Sequence, residues 1–255
     1  MKLTVLGCSG GIGEAESRTS AFLLDDDILL DCGTGVGDLF FSELQRINHV
    51  FLTHSHLDHI AALPLLVDAI GESCRHPITL YALPETLHIL RAHVLNWLVW
   101  PDFTAIPNRN HPWLRLQPIQ TGESINIGER IITALPALHT VPAAAWCVDS
   151  GQYQLIYSGD TTYSPELIAA INSQPALAHL IVETAFPEDM RALAMAARHI
   201  CPGILALMLD EITASPEVHI THLKPGFGAR IMKEIDALPC RLRPSRLTQG
   251  RVLEF

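Results

Sequence analysis

The sequence predicts a layered α/β fold built as one domain over residues 1–255. Three observations predict it. Segments of strand character come mostly first, followed by strands mixed with helices. No linker-like, low-complexity stretch divides the chain. Finally, 255 residues of which 48% are hydrophobic are enough to bury a large core, which excludes a disordered chain and a disulfide-stapled miniprotein.

The elements follow in order. Residues 2–6 read as a strand running into the turn Gly7-Cys8-Ser9-Gly10-Gly11-Ile12-Gly13. Residues 21–24 and 28–30 are two apolar runs around Asp25-Asp26-Asp27, which is a hairpin signature. Residues 36–45 look helical, and 49–53 form a short buried strand that ends at a histidine-rich loop. Residues 60–70 and 85–97 are amphipathic helices, the second carrying Leu87, Leu90, Val94 and Trp97 near helical spacing. Strand-like segments follow at 113–119, 130–135, 143–148 and 154–157. Then come a helix near 165–171, a strand at 180–183, and helices near 189–199 and 203–212. A strand at 218–221 precedes a last helix near 227–237. The two halves share a logic: in each, a hydrophobic strand delivers ligand-type residues at its C-terminal end, His54 in one and Asp160 in the other. A duplicated sheet-plus-helices unit would read this way.

Composition bounds the function. Seventeen basic against 27 acidic residues leave a net charge of −10, so the chain lacks the basic surface with which general nucleic-acid binders displace counterions. No run of about 18 apolar residues exists, so no membrane partner is expected. The longest candidate, 192–209, is interrupted by Arg198, His199 and Pro202. Only seven residues precede Cys8, too few for a lipoprotein signal. The six cysteines form no CxxC pair, which suits reduced thiols and a cytoplasmic location. The glycine-rich turn lacks both GK[ST] at P-loop spacing and a GxGxxG opening a helix, so it reads as a tight turn near a site entrance. Histidine is the odd count. Thirteen outnumber the eight phenylalanines and four tyrosines together.

The decisive segment is Thr53-His54-Ser55-His56-Leu57-Asp58-His59, which places four ligand-capable side chains directly after an apolar strand. Imidazole and carboxylate are the usual ligands of zinc and similar ions. His54 and His56, two apart, share a face, whereas Asp58 and His59 continue into a helix start and swing to a neighbouring position. All four closing on one ion would strain the loop, which points to two adjacent metals.

This HxHxDH stretch resembles the hallmark of the metallo-β-lactamase superfamily, and the resemblance runs along nearly the whole chain. It is similar to the hydrolase branch that includes class II cyclic-nucleotide phosphodiesterases and ribonuclease Z. The glycine-rich start, Leu30-Asp31-Cys32-Gly33, Leu138-His139-Thr140, Ser158-Gly159-Asp160-Thr161 and Thr221-His222-Leu223 fall in family order. The resemblance implies a four-layer αββα sandwich. It also implies two divalent ions, zinc first, with manganese or iron accepted by the same ligand mix. One ion would take His54, His56 and His139, the other Asp58, His59 and His222, and Asp160 would bridge them. On their own, His139 and His222 would pass as structural histidines. The stretch His54–Ala69 resembles the class II phosphodiesterase signature but has Ala62 and Leu66 where that signature has glycine and serine. Val182-Glu183-Thr184-Ala185-Phe186 with His199 resembles the Glu…His pair of the phosphodiesterase and ribonuclease Z branches. No inserted glycine- and proline-rich arm for gripping tRNA is visible.

The implied activity is hydrolysis of a small, anionic, cyclic-nucleotide-like phosphodiester. A hydroxide shared by the two ions would be the nucleophile. His199 would be the general acid, oriented by Glu183, and Asp58 counts with them as a catalytic residue. Lactone or thioester hydrolysis on the same ligands is the alternative, with a ribonuclease Z-like activity behind it. Asp31 would steady the histidine loop, the usual service of a carboxylate behind a ligating histidine. Trp97, Trp100 and Trp113 read as core or a homodimer contact in preference to a wall that stacks a nucleobase. His49, His76, His88, His93, His111, His179 and His219 carry no motif.

Overall fold

The computed structural model describes residues 1–13, 17–74 and 76–255. Among these, two seven-stranded sheets form the centre. The first runs, edge to edge, through Val252–Glu254, Lys2–Gly7, Ala21–Leu24, Ile28–Leu30, His49–Phe51, Ile78–Ala82 and Leu114–Pro118. The second runs through Ser124–Ile127, Arg130–Pro136, Ala144–Asp149, Gln154–Tyr157, Leu177–Glu183, Glu217–Thr221 and Ser245–Arg246. In that order each sheet begins with three antiparallel pairings and ends with three parallel ones. The repeated logic of the two halves is therefore a repeated topology.

Three buried clusters mark the interfaces of a four-layer αββα sandwich. Ile28, Leu30 and Phe51 meet Trp146, Leu155 and Tyr157 between the sheets. Leu29, Val50 and Leu52, alternating with them, pack against the helix Leu63–Ile70 and Leu87 and Leu90 of the helix Pro84–His93. On the other side Ile156, Leu180 and Val182 pack against the helices Pro165–Asn172, Pro202–Glu211 and Gly228–Asp236. Strands buried on both faces lose the polar alternation of a one-sided sheet and become short apolar runs.

Several expected elements differ. The helix at 36–45 is a 3-10 turn, Thr34–Asp38, and one helical turn, Phe41–Leu44. The helix at 60–70 is two pieces, Leu57–Ile60 and Leu63–Ile70, and the first begins inside the histidine motif. The helix at 85–97 stops at His93. There the Asn96 side chain accepts from the Leu98 and Val99 amides, and Trp97 takes a left-handed φ of 66°, a local bonding pattern that competes with helix. The helix at 189–199 is likewise a 3-10 turn, Glu188–Met190, and a short helix, Arg191–Ala196, which leaves His199 beyond it. The strands Ile78–Ala82, Ser124–Ile127, Ser245–Arg246 and Val252–Glu254 have no counterpart in the sequence reading. Trp113 packs against Phe103 and over Gly71, while Trp97 is 63% exposed. No helix among the described residues is long and apolar enough to cross a membrane.

Candidate metal centre

The centre lies at the carboxyl ends of the parallel strands, where open α/β sheets build their sites. The strand His49–Phe51 leads into His54 and His56, and the helix Leu57–Ile60 carries Asp58 and His59 in its first turn. Asp160 follows Gln154–Tyr157, Glu183 ends Leu177–Glu183, and His222 follows Glu217–Thr221. His139 lies in the turn after Arg130–Pro136. Every sequence-predicted ligand thus reaches one place from both sheets.

They form two groups that share Asp160: His54, His56, His139 and Asp160, and Asp58, His59, Asp160 and His222. In the first, His56 Nδ1 lies 3.2 Å from His139 Nε2, and His54 Nε2 lies 3.7 Å from Asp160 Oδ2. In the second, His59 Nε2 lies 3.3 Å from Asp160 Oδ1. His222 Nε2 lies 3.2 Å from Asp58 Oδ2 and 3.3 Å from Asp160 Oδ2. Metal bonds of about 2.0–2.1 Å in a tetrahedron put ligand atoms about 3.3 Å apart, so the spacing fits a divalent ion in each group. His54 Nε2, His59 Nε2 and Asp160 Oδ1 are buried without a hydrogen-bond partner. An unpaired buried polar atom costs about 1–3 kcal/mol, and coordination would relieve all three.

The surroundings set the tautomers. Thr53 Oγ1 donates to Asp31, so it accepts from His54 Nδ1–H at 3.0 Å and leaves Nε2 a free lone pair. His59 Nδ1–H donates to Asp31 Oδ2 at 2.7 Å, which turns its Nε2 toward Asp160. His139 Nδ1–H donates to the Arg198 carbonyl at 3.1 Å, freeing its Nε2. Burial lowers the pKa of His54, His56 and His139, so these imidazoles are neutral and able to ligate. Burial also opposes charge at His59 and Asp160, but there opposite charges win. Asp160 and Asp31 raise the His59 pKa well above the ordinary value, so an ion would take the place of a proton on its Nε2, and His222 and His59 hold the Asp160 pKa well below the usual carboxylate value.

Beside both groups stands a second pair. His199 Nδ1 lies 2.6 Å from Glu183 Oε1, and Glu183 also accepts from the Thr161 and Ile200 amides. The His199 ring stacks on His222 at 5.2 Å between centroids and lies 5.0 Å from His139. Burial disfavours the imidazolium, but Glu183 outweighs it and the His199 pKa is raised.

Three participants carried no usable sequence signal. Thr53 bridges Asp31 to His54, and the Tyr157 hydroxyl donates to Asp31 Oδ2 at 2.8 Å. Arg198 holds His139 from two sides, since its carbonyl accepts from the ring and its Nη1 donates to the His139 carbonyl at 2.6 Å. Asp31, Arg198 and His222 have left-handed φ values of 58°, 52° and 59°. Non-glycine residues held there carry on the order of 1–3 kcal/mol of strain each, as often found at working sites. The glycine-rich turn seats the His222 loop: the His222 amide donates to the Cys8 carbonyl and Lys224 Nζ donates to the Gly10 carbonyl.

Residues 26–239 match the family model described as "Beta-lactamase superfamily domain". The chain is 28% identical over 207 residues to a Yersinia pestis protein named "Probable 3',5'-cyclic-nucleotide phosphodiesterase", a match covering 72% of this chain and 59% of that protein. It is 27% identical over 180 residues to "Probable metallo-hydrolase YhfI" of Bacillus subtilis, covering 66% of this chain and 67% of the other. Among solved structures, unliganded yeast PDE1 superposes with a TM-score of 0.83 over 100% of this chain and 99% of that one, at 20% identity. At that identity the likeness is one of fold.

Proposed function

The chain belongs to the beta-lactamase superfamily, and from that premise we propose that it is a phosphodiesterase using two divalent ions, zinc first, on a small, anionic, cyclic-nucleotide-like phosphodiester. The observation that carries this reading is the pairing of two ligand groups through Asp160 with a carboxylate-held histidine stacked beside them. The name of the Yersinia pestis relative points the same way.

Two ions bound there would supply a water activated near neutral pH and would neutralise charge on the phosphoryl oxygens. The ligands would be His54, His56 and His139 on one side and Asp58, His59 and His222 on the other, with Asp160 shared. The chain's own groups do the rest. Asp31 and the Arg198 carbonyl accept from Nδ1–H of His59 and His139 and so keep their Nε2 atoms turned toward the ion sites. Glu183 orients His199 and favours its protonated form. His199 then gives a proton to the departing sugar oxygen, a poor leaving group as an alkoxide. Arg198, which positions His139, lines with it a cavity of about 520 Å³, together with Glu85, Gln120 and Thr140. None of the three clustered tryptophans lines it. The net charge of −10 supports a small substrate held by metals over a long nucleic acid.

The test is a side-by-side assay of bis(p-nitrophenyl) phosphate, cyclic AMP and a lactone with the metal-loaded enzyme. Turnover of both phosphodiesters is expected. Turnover of the lactone alone would reject the reading in favour of a lactonase. Asp160→Ala should lose bound metal together with turnover, and full metal content in that variant would reject the shared-ligand role.

A further inference from the structure

Along the strands that deliver Glu183 and His222, two more histidines face each other. His179 lies near the start of Leu177–Glu183 and His219 in the middle of Glu217–Thr221. Their neighbours Leu180, Val182, Val218 and Ile220 point to the helices. The two histidines therefore lie on the opposite face, turned toward the first sheet. Both are buried, whereas Glu217, the register partner of His179, is 69% exposed at the side chain.

We propose that His179, Glu217 and His219 form a separate site for one divalent ion of the zinc class. His179 Nδ1 and His219 Nε2 are 3.1 Å apart, and Glu217 Oε2 lies 3.9 Å from each. The three atoms bracket the tetrahedral edge of about 3.3 Å expected for zinc. The exposed Glu217 carboxylate would have to close by about 0.6 Å to reach that edge.

The outer partners suit ligation. His179 Nε2 lies 3.1 Å from the Glu254 carbonyl oxygen, which can only accept, so this nitrogen carries the hydrogen and Nδ1 is a lone pair. His219 Nδ1 lies 3.4 Å from Ser245 Oγ, a hydroxyl able to donate or accept. Without an ion, the Ser245 hydroxyl can donate to the Val218 carbonyl at 3.5 Å or to His219 Nδ1, and in the second case His219 Nε2–H donates to His179 Nδ1. With an ion, the hydrogen of neutral His219 resides on Nδ1 and Ser245 accepts from it, so no net proton is released. A ligating histidine that hands its other N–H to a carbonyl or hydroxyl is the usual arrangement of a metal site. Because Glu254 belongs to the first sheet, a bound ion would tie both sheets together through His179.

The test is equilibrium dialysis of chelator-stripped full-length protein against Zn²⁺, followed by metal analysis. His219→Gln should remove one ion per chain. Glu217→Gln, an exposed change that leaves the fold alone, should weaken the same ion about ten-fold or more, since loss of even an outer partner costs 10–100-fold. Phosphodiester turnover should be unchanged in Glu217→Gln. Binding to Glu217→Gln with wild-type number and affinity overturns the proposal. Asp160→Asn reads the other centre independently, because it should lower the metal count while leaving the ion sensitive to Glu217→Gln.

Discussion

His59 Nδ1 lies 2.7 Å from Asp31 Oδ2, and neither side chain reaches solvent. Asp31 also accepts from the Thr53 amide, the Thr53 hydroxyl and the Tyr157 hydroxyl. Every neighbour is a donor, so the site suits a carboxylate and not an amide. Asp31→Asn would set an NH₂ against one of those donors, at about 1–3 kcal/mol per group left unpaired. It would also release His59 from its tautomer, with an expected 10–100-fold loss of metal affinity. Thermal unfolding of the metal-free variant and a zinc titration measure the two effects. Wild-type zinc affinity in Asp31→Asn would contradict the tether.

The raised His199 pKa gives a signed pH dependence. A general acid must be protonated, so turnover of an ester with a poor leaving group should fall as pH rises through the His199 pKa. Glu183→Gln removes the favourable charge and should move that limb to lower pH, whereas esters releasing nitrophenolate, which needs no proton, should show little shift. Stability follows the same sign. In metal-free protein the dyad's contribution is full below the ordinary histidine value of about 6.5 and is lost as pH rises through the raised value. The stability gap between wild type and Glu183→Gln should therefore narrow with rising pH. An alkaline limb unmoved by the substitution would remove His199 from the role of acid.

Stripping the ions should be costly, because His54 Nε2, His59 Nε2 and Asp160 Oδ1 then stay buried and unpaired. A ligand present at about 1,000 times its Kd stabilises by about 4 kcal/mol. For a chain of this size about 1 kcal/mol corresponds to 2–4 °C in Tm. Two ions should then raise Tm by more than about 10 °C over the chelated form, readable by calorimetry. An equal Tm with and without chelator would mean that the centre binds ions weakly or not at all.

What was legible in the sequence was local. Strands such as Ile28–Leu30 and Gln154–Tyr157 stood out because burial on both faces makes them short apolar runs between turn formers. His54, His56, Asp58 and His59 stood out because one loop supplies them all. Asp160 gave only the signal of a polar residue after an apolar strand, whereas His139 and His222 carry no local signal, since they meet the others only after two sheets stack, and family resemblance alone picks them out. Arg198 and Thr53 were invisible because their work is done by a backbone carbonyl and a bridging hydroxyl, which leave no pattern. Ser124–Ile127, with alternating exposed and half-buried residues, and Val252–Glu254, three residues at the chain end, are edge strands too short or too polar to register. The His179–His219 pair was missed for another reason: its members are 40 residues apart and are joined only by parallel strand register.

Gly10 tests whether the glycine-rich turn is part of the centre. A Cβ there would lie 2.4 Å from the His222 carbonyl oxygen and 2.9 Å from His222 Nδ1. The first contact is with backbone and cannot be relieved by a rotamer change. His222 is itself held in a left-handed conformation, with its amide bonded to the Cys8 carbonyl, so the loop has little freedom to withdraw. Gly10→Ala should displace His222 from Asp58 and Asp160 and weaken the ion of that group, while the group of His54, His56 and His139 keeps its own. A zinc titration should then resolve one unchanged and one weakened ion at this centre, with turnover reduced in step with the weaker one. Gly122→Ala is the control, because its Cβ would meet nothing within 4 Å, although its φ of 89° strains any side chain. It should lose stability without losing metal. Loss of stability alone in Gly10→Ala, with both affinities intact, would show that the turn does not position His222.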